Sequence, residues 1–368
     1  MAGFPFMRQA EAFRSSLPFI LLLAVFILPC PMSAAAKPRP AIAFVHLLLP
    51  PGGEPHASPA GWIGSLDRAR DTLESLRIPT IVSSASPGNA EDLNELSEMD
   101  PEVLITTSPL LYAAACDVAK RSPNTVFFAC TDETVHDNMS GFQARTYEAH
   151  YLAGLIAGAL SEDGVIGYLA NDPYQSKASR LRNANAFTLG AQKSKAAIRV
   201  LYAPGNDPDE ELKTLIAAGA DIVDLERALP SLVERLREHS VRYVGTAGRT
   251  VDPLCLAAPE WEWSNAFGDL LTQVRFGIWR PRNVSYGIKE GVVGLSPFGP
   301  AVPETVRVRV REAKEAIRNG VSPFEGPVRD VSGSLRIAEG SVPDDATLRG
   351  MDWRVQGLEP LPLTPDGR

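Results

Sequence analysis

The chain has 368 residues, a formal charge of −8 and a hydrophobic share of 45%, which is more than a single core usually organises. An acidic balance with no block of Lys or Arg excludes nucleic acid as a partner. The four cysteines lack close spacing, which excludes a disulfide framework.

At the N-terminus Arg8 and Arg14 make a sparse positive start. Leu17 to Leu28 follows as an apolar run too short to cross a bilayer comfortably, and Ala34 and Ala36 then occupy A-x-A positions. This pattern predicts a signal peptide over 1–36, a soluble mature chain from Lys37 and a periplasmic location. An uncleaved signal anchor is the competing reading. Cys30 follows the apolar run, but Pro29 stands where lipoprotein processing wants Gly, Ala or Ser. The leader carries Arg8, Arg14 and Glu11, a net of +1, so the mature chain sits at −9. Cys116, Cys130 and Cys255 remain and read as buried thiols, with a Cys116–Cys130 bridge as the alternative.

From Ala41 strand and helix patterns alternate. Strands are predicted at Ala41–Leu49, Ile78–Val82, Val103–Thr107 and Thr125–Ala129, and helices at Trp62–Leu76, Glu91–Met99 and Leu110–Lys120. A polar strand-like stretch from Asn138 leads into a helix rich in small residues. There Gly154 and Gly158, four apart, share one face and admit another backbone. The cycle then restarts, with strands at Val165–Leu169, Ile198–Tyr202, Asp221–Asp224 and Val241–Gly245. Helices are predicted at Ser179–Gln192, Asp209–Ala218 and Ser231–His239. Apolar strands separated by helices indicate βαβ units and parallel sheets covered on both faces. Two such sets in succession predict two lobes. Beyond Gly320 the Pro/Gly-rich sequence reads as a loop or hairpin wrapping the second lobe.

Three blocks carry a resemblance: Asn138 to Tyr168, Gly287-Ile-Lys-Glu-Gly-Val-Val-Gly-Leu-Ser-Pro-Phe298, and Gly350-Met-Asp-Trp353. Together they resemble the basic membrane protein (Bmp) family of extracytoplasmic solute-binding proteins, over roughly residues 40 to 360. Members of that family deliver purine nucleosides or bases to ABC transporters. The resemblance implies an α/β chain with the type I periplasmic-binding-protein fold, two doubly wound parallel-sheet lobes with a ligand cleft between them. It implies lobe 1 from 40–143 plus 249–285, lobe 2 from 144–248 plus 286–360, and a tail at 361–368. Crossings are then expected near Gly141–Thr146, Thr246–Asp252 and Ser285–Lys289. The partners implied are a small-molecule ligand and an inner-membrane ABC permease, with the protein a monomer and without cofactor. A sensory protein presenting its ligand to a membrane signalling partner is the alternative.

Ligands of doubly wound sheets lie beyond the carboxyl ends of the strands, which selects the candidate residues. Trp62, opening a helix after Gly61, serves either ligand stacking or lobe packing. Ser108 offers a hydroxyl to a polar ligand edge or simply caps its helix. Asp132 either accepts from a base amino group or ribose hydroxyls, or is solvated. Asn171 and Asp207 follow strands of the second lobe, where two aromatics of relatives are missing. Arg249 stands near the position where nucleoside-binding relatives hold an Asp for ribose, which favours an anionic or carboxylated ligand. Lys289 matches a family cleft lysine or is a surface residue beside Glu290, and Trp263 either stacks on a flat ligand or packs. No G-x-S-x-G elbow, phosphate-binding G-x-x-x-x-G-K-[ST] loop or H-E-x-x-H pair is present. The five histidines have no metal-ligand spacing. The sequence thus predicts a binding protein, with no catalytic residue and no metal.

Overall fold

The computed structural model describes residues 39–362 except 49–60, 87, 132, 134–135, 173–174 and 246–251. The chain opens with β1 (Ile42–Leu47), α1 (Trp62–Ser75), β2 (Thr80–Ala85), α2 (Glu91–Ser97), β3 (Val103–Thr106), α3 (Tyr112–Ala119), β4 (Val126–Cys130) and β5 (Met139–Ala144). The pattern repeats as α4 (Thr146–Leu160), β6 (Val165–Leu169), α5 (Lys177–Ser194), β7 (Arg199–Ala203), α6 (Pro208–Ala217), β8 (Ile222–Leu225), α7 (Pro230–Glu238), β9 (Arg242–Gly245) and β10 (Cys255–Ala257). After it come β11 (Pro259–Trp261), α8 (Ser264–Arg275), β12 (Val284–Tyr286), β13 (Val293–Leu295) and α9 (Glu304–Arg318). The chain closes with β14 (Val328–Arg329), β15 (Leu335–Ile337), α10 (Asp345–Arg349) and β16 (Leu358–Pro360).

Among the described residues the strands form two six-stranded sheets, ordered β12-β5-β4-β3-β1-β2 and β10-β9-β8-β6-β7-β16. Each has the same doubly wound core, with its first strand flanked by its second and third, and all pairings within them are parallel. A later part of the chain completes each sheet. β12 adds to β5, and β16 adds to β7. β10 pairs with β9, so the chain stays in the second sheet to Ala257. The crossing expected at Thr246–Asp252, and a first lobe resuming at 249, therefore shift downstream to the β10–β11 junction. The reason is local: Leu256 and Ala257 are fully buried and extend that sheet's edge.

Period-2 alternation divides each strand between two layers. In β1, Ile42 and Phe44 face one core with Phe128, Phe142 and Phe267, while Ala43, Val45 and Leu47 face another with Leu93, Leu104 and Phe127. The second sheet does the same, with Ile166, Tyr168 and Val200 on one side and Leu169, Leu201 and Val223 on the other. The inner layers of both sheets join into one cluster through α4.

α4 and α5 pack at backbone distance, as the small-residue face predicts. A Cβ at Gly154 would lie 2.0 Å from the Phe187 carbonyl oxygen, and one at Gly158 would lie 2.2 Å from that of Ala191. Gly190 on α5 completes the contact, with its Cβ position 2.1 Å from the Tyr151 oxygen.

Candidate functional site

Each sheet reverses its strand order beside its first strand, and ligands of doubly wound sheets bind beyond the carboxyl ends of the strands at such a reversal. In the first sheet these are the ends of β1 and β3. His46 near the end of β1 is buried, its Nδ1 3.2 Å from Thr107 Oγ1 and its Nε2 3.2 Å from Asp67 Oδ1. The Trp62 indole donates to the Thr107 carbonyl at 2.8 Å. Ser108, also buried, accepts from the Leu110 amide at 3.3 Å as the N-cap of the turn Pro109–Leu111. Trp62 and Ser108 are thereby brought to one edge of the first lobe.

Trp62 is half-buried and sits edge-on to Trp263, 5.2 Å between centroids, and to Trp261 at 5.9 Å. Trp263 itself is fully buried, stacked on Phe267 at 5.5 Å, and its indole N–H has no partner. It packs among Trp62, Phe142 and Tyr286 within the first lobe. Lys289 is exposed on the segment between β12 and β13. Asp207 is exposed and caps α6, accepting from the Glu210 amide at 3.3 Å. Asp132 and Arg249 lie outside the described residues, as do the leader over 1–36 and Lys37.

In the second sheet the reversal falls between β6 and β8. Asn171 is buried and joins the two ends, its amide donating to the Arg227 carbonyl at 2.8 Å and its oxygen accepting from the Arg227 amide at 2.9 Å. Beside it lies a group that the sequence reading passed over. Glu226, one residue past β8, is buried and accepts from the Tyr168 hydroxyl at 2.9 Å. Behind it His150 of α4 meets Asp224 at 3.1 Å, both enclosed. Burial, then the charge of Asp172, pushes the Glu226 carboxyl up to about 8, against the pull of His150 and Tyr168. Burial also disfavours the His150 imidazolium, but Asp224 outweighs it and holds the ring above its ordinary value. The signal in the sequence was the run Asp224-Leu225-Glu226, which puts one acid on a strand face and another at the strand's exit.

Two crossings between the lobes are welded together. The Arg145 amide donates to the Tyr286 carbonyl at 2.7 Å, and its guanidinium to the Ser285 carbonyl and to Glu148, each at 2.8 Å. The same guanidinium pairs with Glu290. Glu148, buried, also accepts from the Ile288 amide at 2.6 Å. Gly287 is required here, since a Cβ would lie 2.5 Å from Glu148 Oε2 and 2.6 Å from Arg145 Nε. Among the described residues no group of His, Cys, Asp or Glu is placed to hold a metal. Cys116, Cys130 and Cys255 are free thiols.

Two parallel α/β lobes of this kind make the type I periplasmic-binding-protein fold. Residues 66–217 match the Bmp family, described as PnrA-like substrate-binding proteins of ABC transporters. That match takes in the first of the three sequence blocks, Asn138 to Tyr168, and agrees with the family resemblance read from it. A purine-binding protein of Brucella abortus is 28% identical over 344 residues, covering 89% of this chain and 95% of the relative. A putative ABC transporter glucose-binding protein of Haloferax volcanii is 28% identical over 307 residues, covering 77% of this chain and 78% of its own. Among solved structures, a solute-binding protein of an ABC transporter system from Conexibacter woesei superposes with a TM-score of 0.60 at 17% identity, over 76% of this chain and 97% of that one.

Proposed function

We propose that the protein is the exported solute receptor of an ABC importer, holding a small uncharged polar solute of the purine-base kind in the crevice between its lobes. The observation that carries this reading is the coincidence of two identically wound sheets, each with buried polar side chains at its order reversal. The edge near Trp62 and Thr107 supplies an aromatic surface. The opposite edge supplies Asn171 and Glu226, groups that suit a ring bearing both donors and acceptors. The match to a purine-binding protein supports the same ligand class. Loading would be followed by delivery to a membrane permease, with the receptor acting as a monomer.

Mass spectrometry of small molecules released from gently purified protein is expected to recover a purine base. Calorimetry should then give micromolar or tighter binding of adenine or guanine, with adenosine and guanosine weaker, because Arg249 replaces the acid that holds ribose in relatives. Recovery of a sugar, or submicromolar binding of an unmodified nucleoside indifferent to Arg249→Ala, overturns the assignment. If the ligand instead bears a carboxylate, Arg249→Ala should weaken it about ten- to a hundredfold. N-terminal sequencing of the fractionated protein should begin at or near Lys37. A lipid-modified Cys30 would contradict soluble export.

A further inference from the structure

The six strands of the first sheet are parallel, so every turn that enters them lies on one edge, opposite the carboxyl ends. The three most exposed large apolar side chains among the described residues all stand on that amino edge. Leu76, 66% exposed, sits on the turn into β2; Phe276 at 76% and Ile278 at 64% follow α8 on the way to β12. Their exposure is built in. The Phe276, Gly277 and Ile278 amides donate to the Thr272, Val274 and Gln273 carbonyls, and Gly277 has a φ of 66°, which glycine adopts without strain. The Arg280 guanidinium closes the turn by donating to the Gly277 and Trp279 carbonyls. Val274 and Trp279 take the inward positions against the core, which leaves Phe276 and Ile278 in solvent. Arg275 forks onto Glu102 before β3, at 2.9 and 2.7 Å. From there 276–283 runs along the edge to β12, three strand spacings or about 14 Å away.

This edge is basic, although the chain carries −8 overall. Asp100 is paired with Arg39, and Glu102 with Arg275. Arg77, Arg121, Arg280 and Arg282 are exposed, and none is in an ion pair among the described residues; Glu98 and Asp137 are the acids that remain on these turns. We propose that the amino edge of the first lobe is a peripheral membrane anchor: Leu76, Phe276 and Ile278 enter the headgroup layer of an anionic bilayer while Arg77, Arg280 and Arg282 pair with its phosphates. Apolar tips on separate turns, each flanked by arginine, gain burial at the lipid boundary, and the cations gain the attraction of the anionic surface. The carboxyl ends of the strands lie at the opposite edge, so an anchored protein keeps them clear of the lipid. The anchor is independent of which solute is bound.

Vesicle flotation of the mature protein tests it. Phosphatidylcholine vesicles with about 30% phosphatidylglycerol should carry the protein at about 50 mM salt and release it at about 1 M. Pure phosphatidylcholine should carry about tenfold less. Phe276→Ser with Ile278→Ser, and separately Arg77→Gln with Arg282→Gln, should each weaken binding about tenfold. Val331→Ser with Val342→Ser, exposed apolar positions outside the edge, should leave it unchanged. The replaced side chains are all at the surface, and an unfolding midpoint equal to that of wild type checks that each variant folds. Binding that is equal on both lipids, absent from both, or unmoved by either pair of edge substitutions overturns the proposal. Self-association in sedimentation velocity that Phe276→Ser with Ile278→Ser removes also overturns it, by assigning the edge to a second copy of the chain.

Discussion

Gly154→Ala is expected to destabilise the protein by roughly 3 kcal/mol, lowering the midpoint of thermal unfolding by roughly 5–10 °C. The new methyl would sit 2.0 Å from the Phe187 carbonyl oxygen and 3.0 Å from the Ala191 amide nitrogen. Those are backbone atoms of a helix eighteen residues long, so no side chain can turn aside and α4 must move bodily away from α5. Separation exposes the seam formed by Gly158 and Gly190, whose close contacts depend on the same approach. Gly268→Ala makes the contrasting case. It lies inside α8, its Cβ would find only Leu73 Cδ2 at 3.9 Å, and alanine should stabilise the helix by about 1 kcal/mol. Differential scanning calorimetry of the two variants distinguishes a packing glycine from an incidental one. Equal effects of the two substitutions would sink the argument.

The same seam explains why so much of the fold was legible in the sequence. Gly154 and Gly158 announce a close helix contact through spacing alone, and the apolar runs of β1, β4 and β6 are bounded by turn signals. Periodicity reads such segments well because their burial is nearly complete. It reads α9 poorly. Val306, Val308 and Val310 alternate like a strand, yet the segment is a helix whose buried positions include Val306, Val310 and Ile317. The site was harder still. Ser108 and Asn171 stand at strand ends where the sequence put them, since that position follows from strand order. Trp263 is fixed by three neighbouring rings from distant segments, Trp62, Phe142 and Tyr286, and by Phe267 one turn further along. Glu226 escaped notice because its chemistry comes from Tyr168 and Asp172, fifty-odd residues earlier in the chain.

Arg145→Met is expected to cost about 3–5 kcal/mol near pH 8, because it strands Glu148 in a buried position. Among the described residues Arg145 supplies the guanidinium beside that carboxylate, and the Ile288 amide is the partner of the Glu148 side chain that remains when it is removed. Burial already holds Glu148 above its ordinary value, against the Ile288 amide and Arg145. Removing the guanidinium raises it further. A group raised in the folded state contributes stability at low pH and loses it as pH rises through the folded value. The deficit of Arg145→Met should therefore shrink as pH is lowered from 8 to 5, since protonation of Glu148 relieves the stranded charge. Adding Glu148→Gln should recover more than half of the loss at pH 8 by removing the stranded charge. Chemical denaturation of wild type, both single variants and the double variant at the two pH values measures the coupling. A loss below about 1 kcal/mol at pH 8 would mean that backbone pairing at Tyr286 alone holds the crossings. A pH-independent loss would mean that Arg145 acts by packing, through its contacts with Ser285 and the neighbouring chain, and that its charge is incidental.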